Sequence, residues 1–140
     1  MRIFVDANII ISVLNKEYPS FTYTSRILSL GSFKNFALYT SPICLAIAFY
    51  FAEKKHKAAR AKDKIRLLCE HINIAEAGNS AVQNALKNNK VLDFEDGLEY
   101  YSAIESKCDC IVTEDVDDFY FAEIEIIKSE NFFEKYMMRR

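Results

Sequence analysis

The amino-acid sequence predicts an α/β fold: a three-layer sandwich in which a central parallel sheet of four to five strands is flanked by helices. Two observations lead to this prediction. Short apolar runs alternate with longer stretches in which apolar residues recur at helical spacing, and such alternation is typical of a parallel, helix-covered sheet. The chain has 140 residues, 51% of them hydrophobic. We therefore expect a single domain spanning residues 1–140 with one core.

Five short apolar runs are predicted to be strands. They cover residues 3–5, 36–39, 72–75, 110–112 and 124–127. The segments between them are predicted to be helices, because their apolar residues follow a period near 3.6. These cover residues 9–14, 19–30, 43–55, 57–69, 80–88 and 94–107, with a last helix from Ser129. Ser41-Pro42 and Asp93 are start signals for the third and sixth helices.

No feature of the sequence predicts a membrane protein. Asp6 interrupts the first apolar run, so no signal peptide is expected. The longest apolar run, residues 43–52, is about half of the ~20 residues that a membrane-spanning helix needs. The four cysteines show neither a disulfide framework nor zinc spacing, so reduced thiols are expected. We therefore expect a cytoplasmic protein, with the last residues, 137–140, frayed.

Charge is distributed unevenly along the chain. The net charge is −2 and the pI about 5.7, which argues against a basic nucleic-acid binder as a whole. Residues 93–125 contain twelve acidic residues and one basic residue, whereas residues 54–66 contain seven Lys and Arg and one acid. The sequence therefore predicts an acidic pole and a basic flank.

Three acidic segments follow strands or begin helices: 6–8, 93–96 and 113–119. In a parallel sheet, the carboxyl ends of the strands and the starts of the following helices share one edge, and this edge carries the ligand site. We therefore expect Asp6, Asp96 and Asp115 to converge there. Clustered carboxylates repel one another unless a cation neutralises them, so the constellation favours a divalent metal site.

The same segments resemble the PIN domain, a nuclease fold of toxin–antitoxin toxins and RNA-processing proteins. Phe4-Val5-Asp6-Ala7-Asn8-Ile9 resembles the family's opening motif. Phe94-Glu95-Asp96-Gly97 and Tyr101-Ser102-Ala103 resemble its third acidic motif, and Ile111-Val112-Thr113-Glu114-Asp115 with Asp118-Phe119 resembles its closing motif. The resemblance spans nearly the whole chain.

This resemblance implies a metal-dependent endoribonuclease. Asp6, Asp96 and Asp115 would be its catalytic, metal-binding acids and would hold Mg²⁺ or Mn²⁺, which prefer oxygen ligands. Asn8, Thr113 and Asp118 would orient the ligands. The expected partners are an RNA substrate, an antitoxin protein and a second copy of the chain in a homodimer.

One position departs from the family pattern. The family usually reads Ser, two variable residues, Leu-Ala and then Glu, but here Ser41-Pro42-Ile43-Cys44-Leu45-Ala46 is followed by Ile47. Glu53, six residues later, lies about 240° round the helix and does not replace it. The second hypothesis is therefore an RNA- or protein-binding module with weak or no catalysis.

Simpler roles stay open for several residues. Asp93 and Asp96 could serve as helix caps, Asp115 could cap a short helix, and Glu95, Glu114 and Asp117 are predicted to be solvated. The basic residues Lys54, Lys55, Lys57 and Arg60 are candidates for RNA contact, although a solvated helix face is the commoner role. A phospho-aspartate fold of the haloacid-dehalogenase or receiver type fits less well, because Asn8 stands where a dehalogenase has a second Asp.

Overall fold

The structure, a computed structural model, describes residues 1–138. Five parallel strands form one sheet in the order β3-β2-β1-β4-β5. The strands are β1 (Arg2–Val5), β2 (Ala37–Thr40), β3 (Asn73–Ile74), β4 (Cys110–Val112) and β5 (Glu125–Ile127). The predicted α/β class and parallel sheet are confirmed. Each strand begins and ends within one residue of its predicted bounds.

Helices connect the strands at the predicted positions. They are α1 (Ala7–Leu14), α2 (Phe21–Ser29), α3 (Pro42–His56), α4 (Ala58–Leu68), α5 (Asn79–Lys87), α6 (Phe94–Glu105) and α7 (Ser129–Phe132). Two short 3₁₀ helices, Leu30–Ser32 and Val116–Phe119, and a π-helical turn, Phe133–Met137, complete the described chain. Ser41 and Asp93 are the N-caps of α3 and α6, as predicted, because each side chain accepts a hydrogen bond from a first-turn amide.

The strand order places a switch of direction at the centre of the sheet. The chain moves outward from β1 through β2 to β3, then crosses back to β4 beside β1 and continues to β5. Right-handed crossovers therefore put helices on both faces of the sheet. The central strands are fully buried, with Ile3, Phe4, Val5, Ile111 and Val112 all at 0% exposure. Burial on both faces explains why these strands are continuous apolar runs.

A glycine lets α6 lie close to α5. A Cβ atom at Gly97 would lie 2.6 Å from Cγ1 of Val91 and 3.0 Å from Cβ of Ala85. The first turn of α6, which carries Asp96, is therefore pressed against its neighbours.

Fraying was expected for residues 137–140. Met137 instead ends a π-helical turn and packs against the core, while Met138 is exposed. Arg139 and Arg140 lie outside the described residues. Within residues 1–138, every helix is too short or too polar to cross a bilayer.

Candidate functional site

Residues that follow β1 and β4 meet at the carboxyl edge of the sheet. Val5 pairs with Val112 in register, and the backbone N–H of Asp6 donates to the carbonyl oxygen of Val112 at 3.0 Å. Asp6 and Thr113 therefore emerge side by side. Strands β2 and β3 are added on one side of β1, and β4 and β5 on the other. Asp6 and Thr113 therefore lie at the topological switch point, where open α/β sheets bind ligands.

Asp6 is held rigidly at this edge. It is the N-cap of α1, and its Oδ1 accepts the backbone N–H of Ala7 at 2.6 Å. Its Oδ2 accepts the hydroxyl of Thr113 at 2.8 Å. The residue is only 8% exposed. The capping role was not predicted, because α1 begins two residues before the predicted helix.

Asn8 links the first and last acidic segments. Its amide nitrogen lies 3.0 Å from Oγ1 of Thr113 and 3.2 Å from Oδ2 of Asp115, and its Oδ1 accepts the N–H of Glu114 at 3.2 Å. The same nitrogen lies 3.5 Å from Oδ2 of Asp6, at the outer limit of a hydrogen bond. Asn8 and Thr113 thus hold hydrogen bonds to both acids.

Helix α6 brings Asp96 to the same edge. Asp93 caps the helix by accepting the N–H of Asp96 at 3.1 Å. Burial, followed by the nearby carboxylates of Asp93 and Asp118, raises the pKa of Asp96 to about 7. Burial is the larger cause of this raised pKa, and the neighbouring negative charges add to it.

A cavity of about 300 Å³ collects all the predicted acids. It is lined by Asp6, Ala7, Asn8, Ile11, Ile47, Phe51, Glu95, Asp96, Glu99, Asp115 and Asp118. No basic side chain is among them. The sequence prediction that Asp6, Asp96 and Asp115 converge on one rim therefore agrees with the structure.

Asp115 and Asp118 are exposed at the mouth of this cavity. A 3₁₀ helix follows Asp115, but the Asp115 side chain makes no capping hydrogen bond and instead accepts from Asn8. Burial, followed by the proximity of Asp115, raises the pKa of Asp118. Asp115 therefore belongs to the acidic site rather than to a cap.

Glu99 is the residue that the sequence motifs missed. It lies one turn after Asp96 on α6, lines the cavity and is only 2% exposed. The thiol of Cys44 donates to its Oε1 at 2.8 Å. Burial first, and then a hydrogen bond with Asp6, raise the pKa of Glu99 far above its ordinary value. The available signal was the spacing of three from Asp96, which puts both carboxylates on one helix face.

Within residues 1–138, one set of three metal-ligating side chains has donor atoms within 4.8 Å of one another: Asp6, Cys44 and Glu99. Asp96 and Asp115 line the same cavity without joining this compact set. Burial raises the pKa of the Cys44 thiol, which favours a protonated hydrogen-bond donor over a thiolate ligand. The remaining donors are carboxylate oxygens, which suit a hard cation such as Mg²⁺ or Mn²⁺ better than zinc.

One of the three acids predicted to be solvated, Glu114, differs from that expectation. Glu114 is half-buried, and its Oε1 accepts the backbone N–H of Ser129 at 2.9 Å, at the start of α7. Glu95 is exposed but lines the cavity, while Asp117 is exposed, as predicted. The prediction for Glu114 was wrong, because its partner lies on a helix that follows the next strand.

The basic candidates lie at the end of α3 and the start of α4, and all are exposed. Nζ of Lys54 lies 4.2 Å from the ring centroid of Tyr50 and 5.7 Å from that of Phe51, which lines the cavity. Lys55 instead donates to the carbonyl oxygen of Asn15, at the end of α1. Lys55 therefore has a structural partner, and Lys54 is the basic residue that the structure ties to the cavity wall.

A comparison with protein families decides the family. A sequence profile described as PIN domain matches residues 2–117. The chain belongs to the PIN domain family. The departure noted at Ile47 is therefore a departure within this family, and the structure places Ile47 in the cavity wall, half-buried.

Solved structures with this PIN domain's fold are remote in sequence. VapBC-1 from nontypeable Haemophilus influenzae has a TM-score of 0.72 and 20% identity over 93% of this chain and 99% of that one. VapBC2 from Rickettsia felis, bound to a DNA fragment from their promoter, has a TM-score of 0.69 and 19% identity over 91% and 98%. VapC20 from Mycobacterium tuberculosis, a toxin that cleaves the sarcin–ricin loop, has a TM-score of 0.68 and 14% identity over 88% and 97%. No curated protein shows significant sequence similarity.

Proposed function

We propose that this PIN domain is a divalent-metal-dependent endoribonuclease and the toxin of a toxin–antitoxin pair. The observation that supports the proposal most strongly is the cavity at the switch point of the sheet. Acids from three separate segments, Asp6, Asp96 and Asp115, line it without a basic neighbour. A divalent cation offsets this concentration of negative charge more simply than any other ligand.

In this proposal, Asp6, Asp96 and Asp115 bind Mg²⁺ or Mn²⁺. The bound cation supplies the positive charge that assists hydrolysis of a phosphodiester. Asp6, fixed by Thr113 and by the start of α1, is the rigid anchor of the site. Asp115 and Asp118 are exposed and face the approaching substrate, while Asn8 holds Asp115 in line with Asp6.

RNA is the proposed substrate. Its phosphates would meet the exposed basic residues Lys54, Lys57 and Arg60, and Lys55 to a lesser extent because it already binds the α1 carboxyl end. The positive charge of these residues would attract the RNA backbone. The backbone would then approach the acids once bound cations neutralise their negative charge. The likeness to VapC20, a toxin that cleaves the sarcin–ricin loop, supports RNA as the substrate class.

The proposed partners follow from the same family. The fold is shared with VapBC and FitAB proteins, which supports an antitoxin as protein partner. A homodimer is proposed as the assembly. The chain would act as one PIN domain over residues 1–140. All four cysteines are unpaired, which fits the reducing cytoplasm.

Ile47 supports a second candidate function. An apolar residue lines the cavity where the family usually has glutamate, so the site has lost one carboxylate from α3. A PIN domain that binds RNA or protein without cleaving it is the alternative. It predicts RNA binding with no dependence on Mg²⁺ or Mn²⁺.

The deciding experiment is cleavage of a mixed RNA pool with Mn²⁺, with Mg²⁺ and with chelator, using Asp6→Asn as the matched control. The proposal expects new RNA ends only with metal and only in the wild type. Calorimetric titration with Mn²⁺ accompanies the assay, with the double variant Asp6→Asn/Asp96→Asn as its control. Equal Mn²⁺ binding by wild type and double variant would refute the metal site. Metal-independent RNA binding without cleavage would favour the second candidate.

A further inference from the structure

Glu99 lies where the site lacks a carboxylate. The departure at Ile47 removes an acid from α3, yet Glu99 on α6 lines the same cavity. We propose that Glu99 supplies the fourth carboxylate of the divalent-metal site in place of α3, and that the Cys44 thiol holds it there. This inference rests on the proposed function, because it requires that a divalent cation binds beside Asp6.

The placement of Glu99 follows from two helices. Asp96 and Glu99 are three residues apart on α6, so their side chains share one face of the helix. Cys44 and Ile47 are likewise three residues apart on α3, and Ile47 faces the cavity while Cys44 contacts Glu99. Glu99 on α6 therefore lies against α3, on the helix face that carries Ile47, the position where the family usually has glutamate.

The burial of Glu99 distinguishes it from the exposed acids at the rim. Its side chain is 2% exposed, whereas the side chains of Asp115 and Asp118 are exposed to solvent. Within residues 1–138 the ion pairs are Arg66–Asp63 and Lys135–Glu125, and neither involves a residue of the cavity. A buried carboxylate without a basic partner is costly, so without a cation Glu99 favours its protonated form, hydrogen-bonded to Asp6. A cation in the cavity would offset that cost for Glu99 and Asp6 together.

The thiol of Cys44 suits the role of holding Glu99. It is fully buried, and its S–H donates to one oxygen of Glu99 at 2.8 Å. A carboxylate has room for further partners on both oxygens, so this hydrogen bond fixes the side chain without using up its capacity for a cation. Asp6 and Glu99 are already within the 4.8 Å span of one potential ligand set.

The test compares two Glu→Gln substitutions in the same cavity wall. Glu99→Gln removes the buried carboxylate, and Glu95→Gln removes an exposed one from the same helix. Mn²⁺ affinity is measured by titration calorimetry and by the fraction of free Mn²⁺ in electron paramagnetic resonance, and folding is checked by circular dichroism in chelator. We expect Glu99→Gln to weaken Mn²⁺ binding roughly 10- to 100-fold. Glu95→Gln should change it less than about fivefold, as expected for a screened exposed charge.

A relocation experiment makes the claim sharper. In the Glu99→Gln background, Ile47→Glu returns a carboxylate to the helix on which the family usually carries it. We expect the double variant to recover Mn²⁺ affinity to within about fivefold of the wild type. A second double variant, Ile104→Glu in the same background, places the new acid outside the cavity and should recover nothing.

Each outcome bears on one claim. If the wild type binds no Mn²⁺, the proposed function fails and Glu99 with it. If the wild type binds Mn²⁺ and Asp6→Asn abolishes binding, but Glu99→Gln behaves like Glu95→Gln, the Glu99 inference alone is overturned. Failure of Glu99→Gln to fold both in chelator and in Mn²⁺ would also overturn it, since Glu99 would then be a structural acid.

Discussion

The hydroxyl group of Thr113 donates a 2.8 Å hydrogen bond to the buried carboxylate of Asp6. The two residues are 107 positions apart in the chain and become neighbours because β1 and β4 pair in parallel, with Val5 opposite Val112. The register of two central strands therefore assembles the site, and a shift by one residue would turn Thr113 away from it.

Thr113→Val should destabilise the protein by roughly 1–3 kcal/mol, because it leaves a buried oxygen of Asp6 without one of its donors. The substitution also removes the acceptor for the N–H of Asp115, at 3.0 Å. Thr113→Ser keeps the hydroxyl and should lose less stability. Urea unfolding of both variants in chelator measures the difference. A loss for Ser as large as or larger than that for Val would contradict this prediction, because Ser keeps the hydroxyl and Val keeps the methyl group.

The raised pKa of Asp96 should make stability depend on pH in chelator. The pKa is near 3.8 in the unfolded chain and about 7 in the folded protein, so the folded state binds more protons between these values. Stability should therefore fall as pH rises from about 4 through 7, since the linkage slope follows the difference in bound protons. Asp96→Asn, which carries no charge, should lose less stability than the wild type between pH 5 and pH 8.

Urea unfolding at pH 5 and pH 8 provides the measurement. Asp117→Asn is the matched control, because Asp117 is an exposed aspartate of the acidic segment 113–119 and its charge is screened by solvent. Parallel losses of stability in the wild type and Asp96→Asn would contradict the raised pKa.

The sequence predicted the fold and the rim of the site because both follow local patterns. Short apolar runs followed by acids, at Asp6 and Asp115, predicted two strands whose carboxyl ends lie at one edge of the sheet. Asp93 predicted the start of the helix that carries Asp96. Strand and helix bounds were therefore predicted to within a few residues.

The burial of acids inside the site follows no local pattern, although the spacing of Glu99 from Asp96 indicates a shared helix face. Glu99 lies in a helix among aromatic residues, and its partner Cys44 is 55 residues away, so nothing nearby in the sequence marks it as buried. The half-buried Glu114 was missed for the same reason, since Ser129 lies 15 residues away in the chain, beyond β5. Long-range packing decides which acids of an acidic stretch are buried, and composition does not.

Lys54 should contribute to RNA binding through its charge. Lys54→Gln, made in the Asp6→Asn background to prevent cleavage, should lower RNA affinity and reduce the slope of log K against log salt by about 0.7, the value for one contact with a single strand. Lys34→Gln is the matched control, because exposed Lys34 precedes β2 and lies toward the opposite, amino edge of the sheet. Identical slopes for both variants would mean that Lys54 belongs to a solvated face only.

Ile47→Glu should produce stability that depends on metal. Ile47 lines the cavity together with Asp6 and Glu99, so a glutamate there adds a negative charge to a site that is already rich in acids. In chelator we expect a loss of roughly 1–3 kcal/mol, from desolvation and repulsion. Added Mn²⁺ should reverse the loss, because a cation that binds the folded state more tightly stabilises it by mass action.

Thermal unfolding with chelator and with increasing Mn²⁺ measures this reversal. Ile104→Glu is the matched control, since Ile104 is half-buried on α6 but does not line the cavity. Its loss of stability should be the same with and without Mn²⁺. If Ile47→Glu also responds equally in both conditions, Ile47 is an ordinary packing residue and α3 contributes nothing to the metal site, because an acid placed within reach of a bound cation cannot be indifferent to it.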